Sequence, residues 1–189
     1  MKKLLPLAAL TVILSGTACE EEVEPPPPPP DRLAPTSPVN VLKNVELAFN
    51  DRDINLFKDM LSENFIFYFD PDELGRRPGG KRRIPESYSY TEIVRRVNDL
   101  FETAYSISMS IDTRNVRDPG PAETTFRADN IKVTLIVKET ELKGFTYERY
   151  GHVEFEKYRA DAGENYWRIT KWWDRARPAY GEYLTLLRL

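Results

Sequence analysis

Phe145-Thr-Tyr-Glu-Arg-Tyr-Gly-His-Val-Glu-Phe-Glu-Lys-Tyr158 and Tyr166-Trp-Arg-Ile-Thr-Lys-Trp-Trp-Asp174 are separated by Ala160-Asp-Ala-Gly163. Two runs rich in aromatic and branched residues around a Gly-containing turn predict a long β-hairpin. Alternate residues of a strand face opposite sides of its sheet. One side of the first strand carries Phe145, Tyr147, Arg149, Gly151, Val153 and Phe155. The matching side of the second carries Trp167, Ile169, Lys171 and Trp173. The other side holds Glu148, His152, Glu154, Glu156, Arg168 and Thr170 and is polar. Strict alternation therefore predicts one wet face and one face that is buried or lines a pocket, with two cations set among aromatics.

Upstream of the hairpin the pattern alternates between helix and strand. Ser37-Pro38 is a helix start, with Ser as cap and Pro in the first turn. Val41, Leu42, Val45, Ala48 and Phe49 recur at helical spacing. Asp53 can cap a second helix with Ile54, Phe57, Met60 and Leu61 on its apolar face, ended by Ser62-Glu-Asn64. Phe65–Phe69 reads as a buried strand. Asp70–Ser89 is a long loop with the acidic cluster Asp70-Pro-Asp-Glu73 close to the basic run Arg76–Arg83. Thr91 opens a third helix to about Ala104. Tyr105–Asp112 and Ile131–Val137 are further strands.

The chain ends are of different character. Met1-Lys-Lys3, the apolar run Leu4–Leu14 and Ser15-Gly-Thr-Ala-Cys19 resemble a bacterial lipoprotein signal peptide. The resemblance implies cleavage before Cys19 and acylation of that residue, hence a membrane-anchored protein of the bacterial envelope, in the outer membrane if the cell is Gram-negative. Gly16 stands where such signals usually have Leu, and Gly16-Thr-Ala18 also suits ordinary cleavage to a secreted or periplasmic protein. Residues 19–36 then form an acidic and polyproline linker, with Pro25–Pro30 favouring an extended rod. The folded domain is expected over 37–176. The apolar tail 177–189 has no evident place in the sheet.

The element order resembles that of the nuclear transport factor 2-like superfamily, a cone-shaped α+β fold. The telling parts are the helix pair Val41-Leu-Lys…Ile54-Asn-Leu-Phe57 running into Phe65-Ile-Phe-Tyr-Phe69, and the closing Tyr166-Trp-Arg-Ile169. The resemblance implies three N-terminal helices packed against a strongly curved, mainly antiparallel sheet enclosing a pocket. It includes ketosteroid isomerase-like and dehydratase-like enzymes, polyketide cyclase-like (SnoaL-like) proteins and non-catalytic binding or assembly domains, so it leaves function open.

Composition narrows the chemistry. Of 189 residues, 27 are Lys or Arg and 30 are Asp or Glu, and the acidic balance argues against nucleic-acid binding. One cysteine outside the core and one histidine, His152, leave no Cys-based or multi-His metal site. No phosphate-binding, dinucleotide, nucleophile-elbow or zinc-protease motif occurs, so no cofactor and no catalytic residue is assigned. A buried cation needs a partner. Arg149 and Lys171 are therefore expected to reach a wet pocket lined by Tyr147, Trp167 and Trp173, suited to a small anionic or aromatic ligand. The competing readings are an internal pair with Asp70, Glu73 or Asp112, or a β-bulge that moves one or both cations into solvent. A homodimer through the outer sheet face or the tail is a further expectation, as is proton chemistry on pocket carboxylates and tyrosines.

Overall fold

The computed structural model describes residues 32–75, 83–159 and 165–175. The leader with Cys19, the polyproline linker, most of the basic loop cluster, the hairpin loop and the C-terminal tail lie outside the described residues. The chain divides into Met1–Pro30 and Asp31–Leu189, and everything below concerns the second unit.

Helix α1 spans Pro38–Asp51. The Ser37 hydroxyl accepts from the Asn40 amide at 3.2 Å, and Arg52 closes the helix in the left-handed region at φ 56°. The segment before it is already part of the domain: Asn44 exchanges hydrogen bonds with both backbone groups of Leu33, and Pro35 O accepts from the Trp167 amide. Helix α2, Ile54–Asp59, is capped by Asp53, whose carboxylate accepts from the amides of Asn55 and Leu56. It stops earlier than its apolar pattern suggests. Met60 O accepts from Ile169 N and Leu61 pairs with Ile169, so sheet pairing takes over from helix spacing.

Strand β1 is Leu61–Tyr68, followed by a 3-10 turn, Pro71–Glu73, and the short β2, Ser87–Ser89. Helix α3, Tyr90–Thr103, starts one residue before its expected cap because Glu92 accepts from both the amide and the hydroxyl of Ser89. Strands β3 (Ser106–Asp112), β4 (Thr125–Lys138), β5 (Gly144–Arg159) and β6 (Asn165–Arg175) complete one mixed sheet of order β2-β1-β6-β5-β4-β3. Only β1 and β6 run parallel. The α+β class and the mainly antiparallel sheet agree with expectation.

The edge strand β3 is protected by α1. Asn50 bonds both the amide and the carbonyl of Met109, and Glu46 accepts from the Ile111 amide. These side chains occupy backbone groups that an exposed edge would offer to another chain. Beneath them one apolar core joins α1, α2, α3 and one face of the sheet, with Phe49 edge-on to Phe57 and Phe101.

Two irregularities set which side chains face that core. In β4, Ala128 pairs with Val153 but Ile131 pairs with Gly151, so an extra residue is inserted at Asp129–Asn130, with Asn130 at φ 55°. In β6, Ile169 pairs with Phe155 but Lys171 pairs with Glu154, leaving Thr170 bulged. The Thr170 hydroxyl donates to Glu154 O at 3.2 Å. A one-residue insertion inverts the facing of every residue beyond it.

Candidate functional site

The bulge at Thr170 corrects the expected facing of the last strand. Beyond it Trp172 and Asp174 point inward, opposite Val153 and Gly151. Lys171 and Trp173 are on the outer face. Lys171 is 42% exposed at its side chain and pairs with Glu154 at 3.1 Å. Trp173 stacks on Tyr68 with ring centres 5.1 Å apart, and the His152 ring lies against it. Burial lowers the pKa of His152, and the nearby Arg127 and Arg175 lower it further. Gly151 makes the inward turn of Asp174 possible: a Cβ there would sit 2.3 Å from the Trp173 carbonyl oxygen.

Three of the five expected pocket residues are buried. Tyr147 and Trp167 belong to the core without lining the cavity described next, and Arg149 lines it. The five expected pocket residues therefore divide as one at the cavity, two in the core and two on the outer face.

The cavity is about 40 Å³, enough for on the order of three waters. Helices α1 and α3 line it with Val45, Phe49, Ile93 and Val97, and β1 with Leu61, Phe65 and Phe67. Its polar residues, Arg149, Tyr150 and Asp174, come from β5 and β6.

Arg149 and Asp174 belong to a buried ionic cluster. Arg149 (5% exposed) donates to Glu73 (1% exposed) at 2.9 Å. The 3-10 turn places Glu73, and Asp70 fixes the turn by accepting from the amides of Asp72 and Glu73. Pairing with Glu73 is one of the two alternatives open in the sequence for Arg149, and the bulge is the one that applies to Lys171. Asp174 (2% exposed) stands further off, with Oδ2 3.8 Å from Arg149 Nε, and Oδ2 makes no hydrogen bond. Burial pushes the Asp174 carboxyl up to about 7 despite the pull of Arg149, and the negative charges of Glu73 and Asp70 add to the rise. Among the described residues no group of three or more His, Cys, Asp or Glu side chains could hold a metal ion, and no helix is long and apolar enough to cross a membrane.

Asp174 and Glu73 are the site residues that pattern reading undervalued. Under strict alternation Asp174 falls on the wet side. No sequence signal marks the bulge that turns it inward.

Three helices and a six-strand mixed sheet are consistent with a nuclear transport factor 2-like fold, and the candidate site is a mostly apolar cavity with a carboxylate–guanidinium cluster in its lining. Among solved structures, a proposed calcium/calmodulin dependent protein kinase II association domain from Xanthomonas campestris is similar at TM-score 0.52 and 12% identity, covering 75% of this chain and 86% of its own. A proposed scytalone dehydratase from Novosphingobium aromaticivorans matches at 0.51 and 11% identity, covering 78% and 86%. LinA matches at 0.50 and 12% identity, covering 77% and 88%. These likenesses are ones of fold. No protein-family model and no curated protein matches the sequence.

Proposed function

We propose that this domain binds a small, mainly apolar molecule in its interior cavity without chemically changing it, and that acylated Cys19 tethers it to a bacterial membrane. The observation that carries the binding reading is Asp174: a buried carboxyl with an unused oxygen in the lining of a mostly apolar cavity. Natural cores leave few buried polar atoms unsatisfied. A ligand group at Asp174 supplies the missing partner. Mostly apolar walls with a few placed polar groups are the usual make-up of small-molecule sites. The tether rests on the leader pattern and the position of the sole cysteine.

The test is native mass spectrometry of the full chain recovered from its host envelope. A retained small-molecule adduct, absent from a Val97→Phe variant that fills the cavity, is the expected result. An adduct that survives Val97→Phe, or a chain that is bare in both forms, contradicts it. Labelling of Cys19 by a palmitate analogue tests the tether separately.

A second reading is favoured by one observation. A carboxyl titrating at about 7 is poised for proton transfer near neutral pH, and one fold neighbour is a proposed dehydratase. Turnover of the retained molecule by wild type and its loss in Asp174→Asn would replace passive binding with acid–base catalysis.

A further inference from the structure

We infer that residues 32–36 are a latch between two walls of the cavity, and that a ligand enters when the latch releases and α1 turns outward. This rests on the cavity being the ligand site and concerns how that site is opened.

The cavity is shut at rest. Of its lining residues only Tyr150 and Trp172 are partly exposed, and the others are buried. A close-packed interior does not stretch to pass a molecule, so a wall has to move. Helix α1 supplies Val45 and Phe49 to the lining, and β6 supplies Ile169, Trp172 and Asp174.

Residues 32–36 are bonded to both walls. Toward α1, the Asn44 side chain donates to Leu33 O at 2.6 Å and accepts from Leu33 N at 3.1 Å, and the Asn40 side chain donates to Ala34 O at 2.9 Å. Toward β6, Pro35 O accepts from the Trp167 amide at 2.8 Å. Pairing of β1 with β6 begins beyond Trp167, at Leu61 and Ile169, so Pro35 takes an edge of β6 that β1 leaves open. Arg32 adds an ion pair to Asp53, the cap of α2.

The opposite side of α1 is clasped to β3. Asn50 accepts from the Met109 amide at 2.7 Å and donates to the Met109 carbonyl at 3.1 Å, and Glu46 accepts from the Ile111 amide at 2.8 Å. The two attachments differ in burial. Met109 and Ile111 belong to the core, whereas of residues 32–36 only Pro35 is partly buried and the rest are exposed. Segments held by hydrogen bonds with little apolar burial open before the rest of a domain. The latch side therefore yields first, and the β3 clasps act as the hinge. Asn44 is 1% exposed, and its remaining contact is the Met60 sulfur at 3.5 Å. Release leaves this buried amide poorly satisfied, which keeps the closed form as the resting one.

The experiment uses the full chain with xenon, a probe that dry apolar cavities accept. Xenon exchange is read by NMR at the Val97 and Ile169 methyl groups, which line the cavity. Hydrogen exchange of native protein is followed at the latch amides, Leu33 and Trp167, and at the hinge amide of Ile111. In wild type Leu33 and Trp167 are expected to exchange with one shared opening free energy while Ile111 stays protected. Asn44→Ala removes the latch partner on α1. It is expected to speed exchange at both latch amides and the entry of xenon together, by about tenfold. The closed form still dominates, so xenon affinity should stay within about twofold. Asn50→Ala cuts a clasp on the same helix and is expected to leave xenon entry and the latch amides as in wild type. Trp167 exchanging only with global unfolding, xenon entry unchanged in Asn44→Ala, or equal acceleration in Asn50→Ala overturns the latch and leaves the cavity as a binding site reached by another route. Xenon that enters none of the three forms removes the binding reading, and the latch with it.

Discussion

Glu73 and Asp174 compete for one guanidinium, and their unequal distances from it, 2.9 and 3.8 Å, give them different roles. Glu73 is the structural counter-ion. Removing one member of a buried pair strands the other, typically at about 3–5 kcal/mol, whereas removing both costs less. Glu73→Gln and Arg149→Met are each expected to lower unfolding free energy by about that amount, and the double variant by less than their sum, in urea denaturation. In Glu73→Gln the Asp174 carboxyl loses a like-charged neighbour and gains the guanidinium, so its pKa should fall, which a carboxyl NMR titration reads directly. Arg149 was legible as a buried cation needing a partner, because an Arg in an apolar row admits few explanations. Its choice of Glu73 over Asp70 or Asp112 was not, since it depends on a three-residue turn inside a long loop.

Strand β6 is the element on which the site turns. Its one-residue bulge at Thr170 exchanges Lys171 and Trp173 for Trp172 and Asp174 on the inward side. Lys171, paired with Glu154 in partial exposure, is expected to tolerate Lys171→Met within about 0.5 kcal/mol, as surface pairs do. Gly151 should not tolerate change. The 2.3 Å approach of a new Cβ to the Trp173 carbonyl oxygen requires backbone movement, and Gly151→Ala is expected to cost more than about 2 kcal/mol. A neutral effect of Gly151→Ala in thermal unfolding would mean that the β5–β6 approach is looser than described. Period-two alternation made the hairpin readable up to Ile169. Beyond that point the pattern Lys171-Trp-Trp-Asp174 offers a tryptophan to either face, so the sequence is consistent with both parities. The outward stack of Trp173 on Tyr68 is a contact between β6 and β1 that pairing, not alternation, defines.

At the scale of the whole molecule, burial of the Asp174 carboxyl couples stability to pH. The folded-state pKa of Asp174, about 7, lies above its unfolded value of about 4. The folded chain therefore binds the proton more tightly, and the stability this contributes is full below about pH 4 and is lost as pH rises through 7. Unfolding free energy is expected to decline across that window by up to about 4 kcal/mol, since a tenfold difference in proton affinity between folded and unfolded chain is worth about 1.4 kcal/mol. Asp174→Asn should remove the decline and make the variant more stable than wild type at pH 8. Partly exposed acids such as Asp112, which its hydrogen bonds to Arg114 hold at about 2, act in the opposite sense at the acid end. The order of elements and the class of fold were legible because helical and strand periodicities alternate clearly from Pro38 to Asp174. The cavity was not, because it arises where α1, α3 and β1 meet the sheet and no local pattern records that meeting.

The most direct measurement is a ¹³C carboxyl NMR titration of the folded chain from pH 3 to pH 10, with the Asp174 signal identified by its loss in Asp174→Asn. A single midpoint near 7 is the predicted result, and it establishes a neutral acid facing the cavity at moderate pH. A midpoint near 4 would contradict it, since Asp174 would then be an ordinary ionised carboxylate with no proton to offer a ligand.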